Sequence, residues 1–184
     1  MLTGLNSGTA TKLQLGAGII TKTKYTTGPI DDTWKTANVL TATNGGITFS
    51  AVPTYFTPSV DGIFENVKGA GKKVTNWVVT LSFTGTDADA EVLKKALGPA
   101  DINGTKITGR HNILAGDYSD IYCLAEKGDG SIIQITLKNA MNTSGLSLST
   151  ANNGNGGISF TISANYDVTD LETPPFEIET IAKA

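Results

Sequence analysis

Reactive and cationic side chains are scarce in this 184-residue sequence, which holds one Arg (Arg110), one His (His111) and one Cys (Cys123). A lone Cys excludes a disulfide within the chain. Its setting, Ile121-Tyr122-Cys123-Leu124, predicts a buried thiol that behaves as a small hydrophobe. One His and one Cys cannot build a structural zinc site. Any nucleophilic triad would have to use His111, which sits in Gly109-Arg110-His111-Asn112 with no Gly-x-Ser-x-Gly element elsewhere. No catalytic activity and no cofactor are expected. Charged residues are 17% of the chain, below the roughly 25% of an average globular protein. With 14 Lys and Arg against 17 Asp and Glu, too few cations are present to neutralise phosphates, so tight nucleic-acid binding is not expected. No apolar run approaches the length of a membrane span. The start, Met1-Leu2-Thr3-Gly4-Leu5-Asn6, lacks the basic and apolar regions of a signal peptide. No membrane insertion is expected, and the chain is expected to remain in the cytoplasm where it is made or to leave that cell by lysis.

Hydroxyls take the place of charge. The chain holds 27 Thr, 11 Ser and 21 Gly, a composition that favours wet strand faces and turns over helices. The length suits one domain, 1–184, with extended arms. Residues 1–12 are small and polar and read as an N-terminal arm. From Leu13, large residues (Leu13, Leu15, Ala17, Ile19) alternate with Gln14, Gly16 and Gly18 in strand fashion. Residues 22–38, with Gly28-Pro29 and Asp31-Asp32, read as loop. The turn Asn44-Gly45-Gly46 leads into a strand with Ile47, Phe49 and Ala51 on one face and Thr48 and Ser50 on the other. A long connection, 53–73, contains Pro53, Pro58 and Gly69-Ala70-Gly71-Lys72-Lys73; connections of that length often carry a function.

The clearest strand is 74–84, where Trp77, Val79, Leu81 and Phe83 alternate with Val78, Thr80, Ser82 and Thr84. The one good helix is expected at about 87–97, with Thr86 and Asp89 as its capping pair and Gly98-Pro99 as its stop. Further strands are expected at 105–109, 120–126, 131–138, 145–149 and 157–166, with a tight hairpin at Gly128-Asp129-Gly130. Residues 167–184 contain Pro174-Pro175 followed by Phe176, Ile178 and Ile181, and read as a C-terminal arm or terminal strand leaving the core. The expected fold is mainly β: a β-sandwich or half-barrel of antiparallel strands with one flanking α-helix. A short echo, Asn44-Gly45-Gly46-Ile47-Thr48-Phe49 against Asn155-Gly156-Gly157-Ile158-Ser159-Phe160, reads either as a duplicated unit with two similar strand edges or as convergent turn-plus-strand chemistry, and is too brief for a repeat protein.

Motifs that suggest chemistry fail on inspection. Gly69-Ala70-Gly71-Lys72 lacks both the upstream Gly (Asn66 stands there) and the Ser or Thr after the Lys (Lys73 follows) that a phosphate loop needs. The acidic pairs Asp31-Asp32, Asp87/Asp89, Asp117/Asp120 and Glu126/Asp129 match no calcium loop and suit caps and turns.

Several strings together resemble the major tail tube protein family of long-tailed, non-contractile bacteriophages. They are Thr3-Gly4-Leu5-Asn6-Ser7-Gly8 with Leu13-Gln14-Leu15-Gly16-Ala17-Gly18; Asn44-Gly45-Gly46 to Pro53 with Val60-Asp61-Gly62 and Val67-Lys68-Gly69; Trp77-Val78-Val79-Thr80-Leu81 with its following helix; Asn139-Ala140-Met141-Asn142; and Tyr166-Asp167-Val168 to Leu171-Glu172-Thr173-Pro174-Pro175-Phe176-Glu177-Ile178. The resemblance implies hexameric rings stacked head to tail around a tape measure protein, joined to tail-tip and tail-terminator proteins. It implies a virion tube assembled in the host cytoplasm, through which DNA passes without specific binding, and no catalytic residues. Candidates for the lumen are Thr48, Ser50, Thr80, Ser82, Thr136, Ser159, Thr161 and Ser163. Candidates for contact between subunits are Leu2, Leu5, Tyr55, Phe56, Phe64, Lys72, Lys73, Pro174, Phe176 and Ile178. Two other readings stand beside this one: the inner tube of a contractile tail or tail-like particle, and a monomeric β-sandwich module for carbohydrate or cell wall. For the latter the exposed aromatics are few and scattered (Trp34, Tyr55-Phe56, Trp77).

Overall fold

The computed structural model describes residues 18–58, 71–151 and 156–182. Eleven strands are present among them: β1 (Ile19–Thr21), β2 (Val39–Thr41), β3 (Thr43–Phe56), β4 (Lys73–Gly85), β5 (Ala100–Asn103), β6 (Lys106–Gly109), β7 (Ser119–Glu126), β8 (Ile132–Asn142), β9 (Ser147–Ser149), β10 (Gly157–Ser163) and β11 (Phe176–Ile181). Two helices, α1 (Asp32–Asn38) and α2 (Ala90–Leu97), accompany them.

Nine strands follow the order β2-β1-β7-β8-β10-β4-β3, with β11 beside β8 and β9 beside β10; β5 and β6 form a separate hairpin. Every pairing is antiparallel. β8 belongs to two layers. Its first half pairs with β7 and β11, and its end, Met141 and Asn142, pairs with β10. The switch happens at Asn139, whose φ of 47° is the left-handed region that Asn tolerates. The register with β7 slips there, so Leu137 and Ala140, three apart, both point into the core. This is a β-bulge that re-aims a strand. Asp120 Oδ1 accepts from the Asn139 N–H, and Asn165 Nδ2 donates to its carbonyl.

The core lies between the layers. Ile20, Ile121, Cys123 and Leu137 from one side meet Val79, Leu81, Phe83, Ile158, Phe160 and Ile162 from the other. Phe83 and Phe160 stack with centroids 4.8 Å apart. The fold is a mainly β, antiparallel sandwich with a flanking helix, and among the described residues the sheet does not close into a barrel. That helix, α2, buries Val92 and Ala96. Asn142 fastens it: its Nδ2 donates to Ala96 O and Gly145 O while its Oδ1 accepts from Thr161 N at 2.8 Å.

Four local expectations are corrected. The flanking helix begins at Ala90 with Asp89 as its N-cap, accepting from Val92 N. Thr86 and Asp87 are instead engaged with Ala42, through its carbonyl and its N–H respectively. Residues 32–38 are helical, where a loop was expected, because Asp31 caps them by accepting from Trp34 N. The turn at Asn44-Gly45-Gly46 is an irregularity inside β3, with Gly45 and Gly46 at positive φ. Finally, the C-terminal segment is the terminal strand expected, β11, but it does not leave the core, since six of its residues pair with β8, from Phe176↔Leu137 to Ile181↔Ile132.

Candidate functional site

The β3-β4-β10 layer presents one polar face. Because side chains alternate along a strand, the faces of Trp77, Val79, Leu81 and Phe83 and of Val78, Thr80, Ser82 and Thr84 are opposed. The first lies against the core and the second away from it. Register then assembles the hydroxyls in rows. Thr48, Ser82 and Thr161 form one; Ser50, Thr80 and Ser163 form the next; Thr84 lies between Asn44 and Ser159, with Ser147 beyond. The rows continue as Val52–Val78 and Thr54–Asn76. Thr143 Oγ1 lies 3.1 Å from Ser163 Oγ at the margin. None of these positions carries a charge.

Seven of the eight hydroxyl residues singled out from the sequence therefore share this face. Thr136 does not. It is buried on β8, on the opposite layer, in a row with Tyr122 and Glu177. Two residues away, Gln134 is fully buried and its side-chain oxygen accepts from the Tyr25 N–H at 2.8 Å. The segment around Tyr25 meets β8 at Gln134, so the side of β8 that alternation marks as polar is buried at both Gln134 and Thr136.

The hydroxyl face ends at β3, an edge strand among the described residues. Among the described residues β3 pairs with β4 alone, and its fourteen residues span roughly 45 Å at about 3.3 Å per residue. An edge of that length offers unpaired N–H and C=O groups to another chain. The far end of the β3–β4 hairpin runs past the core and exposes large apolar side chains: Val52, Tyr55, Phe56, Val74 and Val78 are 45–55% exposed. Tyr55, Phe56 and Lys73 belong to these strands, so the connection expected over 53–73 begins only after Phe56 and closes at Lys73. Lys72 lies with its Nζ 4.9 Å from the Tyr55 ring centroid, a cation–π contact that holds the aromatic end together.

The other contact candidates lie elsewhere. Phe176 is not free for a neighbour; it packs against Trp77 and Phe49 at centroid distances of 5.3 and 5.9 Å. Pro174 is half-buried beside it, whereas Ile178 is 57% exposed. Leu2, Leu5 and Phe64, with the arm 1–12 and most of the 53–73 connection, lie outside the described residues.

Among the described residues no group of three or more His, Cys, Asp and Glu is placed to hold a metal, and no helix is long and apolar enough to cross a membrane. His111 is exposed in the turn after β6. Burial pushes the Cys123 thiol up to about 11, which suppresses the thiolate that reacts. Cys123 is expected to resist iodoacetamide at pH 8 in the folded protein and to alkylate fully in denaturant, as read by intact mass. Rapid native labelling would show the core to be open there.

No protein-family model and no curated protein matches the chain. Among solved structures it is similar to a chain in the tail of an empty GTA particle, determined by helical refinement with C6 symmetry. The match has 15% sequence identity and a TM-score of 0.37, and covers 81% of this chain and 91% of that one.

Proposed function

We propose that this protein is a non-enzymatic structural subunit of the tail tube of a long-tailed phage, assembling as hexameric rings that stack head to tail. The observation that carries the reading is the uncharged hydroxyl face of β3-β4-β10, bordered by β3, which among the described residues has no partner on its outer side. A subunit that closes into a ring through sheet edges satisfies backbone groups that a monomer leaves to water. A head-to-tail contact repeated along an axis builds a tube. With that face inward, Thr48, Ser50, Thr80, Ser82, Ser159, Thr161 and Ser163 line the lumen. A wall without cations gives passing DNA no phosphate contacts to hold it. The family resemblance of the sequence supplies the rest of the proposal: assembly around a tape measure protein in the host cytoplasm, tail-tip and tail-terminator partners, and a place in the virion as the conduit for DNA ejection.

The exposed end of the β3–β4 hairpin is assigned to contact between subunits. Negative-stain microscopy and light scattering across a concentration series are expected to show rings or hollow tubes. The double variant Tyr55→Glu/Phe56→Glu is expected to remain folded, because surface substitutions typically change stability by only about 0.5 kcal/mol, yet to stay monomeric. Tubes formed as readily by this variant would remove the hairpin from the interface. A wild-type chain that remains monomeric at high concentration and with tail-tip proteins added would overturn the assembly reading.

A further inference from the structure

A groove lies on the outer face of β1 and β7, walled on one side by the segment leading into α1. Its volume is about 600 Å³, and its apolar lining includes Ile19, Tyr25, Pro29, Ile30, Leu124 and Ile132. We propose that this groove receives the exposed end of the β3–β4 hairpin of a second copy of the chain, with Tyr55 and Phe56 as the side chains that fill it. This contact presupposes the tube of stacked subunits and gives its head-to-tail step a receiving surface.

The groove is built before anything enters it. The Tyr25 hydroxyl donates to the Gly28 carbonyl at 2.6 Å, and its ring meets Trp34 of α1 edge-on with centroids 5.7 Å apart. The Tyr25 N–H donates to the buried Gln134 side chain at 2.8 Å, which ties the wall to β8. A preformed concavity loses little freedom when it is filled. Its volume is in the range of ordinary binding pockets, room enough for two aromatic side chains with roughly 150–250 Å² each to bury.

Distance excludes the chain's own hairpin. Gly18, next to Ile19 of the lining, sits against the start of β3: Thr43 Oγ1 donates to its carbonyl at 2.9 Å, and a Cβ added to it would press on the Ile47 side chain. Phe56 stands nine residues beyond Ile47 on the same strand, roughly 30 Å away at about 3.3 Å per residue. Groove and aromatic end thus belong to opposite ends of β3, and only another copy, displaced along that strand, brings them together. A contact between two different surfaces of identical molecules repeats from copy to copy without closing on itself.

Charge agrees with that pairing. Glu126 lines the groove, is exposed, and has no ion-pair partner among the described residues. The cation of the groove, Lys35, is 3.5 Å from Asp32 of its own helix. The incoming end brings Lys72 and Lys73, both exposed and likewise without an acidic partner among the described residues, and Lys72 already lies beside the Tyr55 ring. Cations meeting an acid at the rim fix orientation and register more than affinity.

The test uses the full-length chain under conditions where the wild type forms tubes. Glu126→Lys and the pair Lys72→Glu/Lys73→Glu are each expected to raise the concentration needed for assembly about tenfold or more, read by light scattering. The triple variant, which reverses both sides, is expected to return to within about threefold of wild type; a damaged fold would not recover in this way. Placement is read by mixing Phe56→Cys chains with Ile30→Cys chains and adding a short bismaleimide, whose two alkenes each add one thiol. The buried Cys123 is the common background. The expected product is a cross-linked peptide pair joining positions 56 and 30 of different chains. Tubes that form regardless of charge reversal, or a position 56 that joins another surface or none, would overturn the groove assignment while the tube stands. A wild-type chain that makes no tubes at high concentration and with tail-tip proteins added would overturn both.

Discussion

Phe160→Ala is expected to lower the unfolding free energy by about 3–5 kcal/mol. The ring is 2% exposed, stacks on Phe83 at an interplanar angle of 14°, and sits so close to Gly85 that a Cβ there would meet its Cε2 at 3.2 Å. The stack itself adds about 0.5–1.5 kcal/mol beyond area burial. For a chain of this size the urea midpoint should fall by roughly 1–2 M with little change in slope. Phe160→Leu, which keeps most of the volume, should lose well under half as much. A loss below 1 kcal/mol for the alanine variant would mean that the layers are less tightly packed than their geometry indicates.

Arg110→Ala is expected to cost about 3 kcal/mol at neutral pH, because it leaves a buried carboxylate without its cation. Asp117 is buried and accepts from the Arg110 guanidinium and from the Leu114 N–H. The Arg110 Nε also lies 2.9 Å from Asp101 Oδ1 on β5. The only arginine of the chain therefore pins the β5–β6 hairpin to the turn before β7. The Leu114 N–H, with Arg110 after it, holds the Asp117 carboxyl below its ordinary range. A group whose pKa is depressed on folding stabilises the fold above its unfolded value, about 3.9, and that contribution disappears as pH falls through the folded value. The gap between wild type and Arg110→Ala should accordingly narrow in acid, where protonation removes the unpaired charge. Urea titrations from pH 7 to pH 3 read this directly, and a gap independent of pH would assign the loss to packing of the arginine stem instead.

The layer that carries the hydroxyl face was legible in the sequence because each of its strands obeys one rule throughout. Trp77 to Thr84 and Ile158 to Ser163 alternate without a break, and seven of eight hydroxyl positions fell together once register was known. Thr136 obeyed the same rule and misled, since alternation separates two faces without saying what covers either; here a segment some 110 residues away in sequence, around Tyr25, meets one of them at Gln134. α1 was missed because Asp-Thr-Trp-Lys-Thr-Ala-Asn has no apolar stripe and buries no residue; its cap is its main local support. Pro53 suggested the end of a strand, yet it sits within β3 opposite Trp77, a position open to proline because an edge strand leaves one row of N–H groups unpaired. Pro174-Pro175 likewise suggested departure from the core. Pro175 is instead buried and its carbonyl accepts from Lys138 N, so the two prolines steer the chain back to β8. Pairing between distant strands is set by tertiary packing, which a single sequence does not display.

β8 has a consequence for how the molecule comes apart. A sandwich whose layers share no strand can lose one while the other persists as a partly folded state. Here a single continuous strand is woven into both, and its change of direction at Asn139 is clamped by Asp120 from one layer and Asn165 beyond β10. Peeling either layer drags the shared strand out of the other, so partial opening exposes nearly as much apolar surface as complete opening. Such a protein yields to mechanical or chemical load all at once. The amides of Leu137 to Asn142 should then exchange only through whole-molecule unfolding, a useful property in any part that must bear strain without loosening.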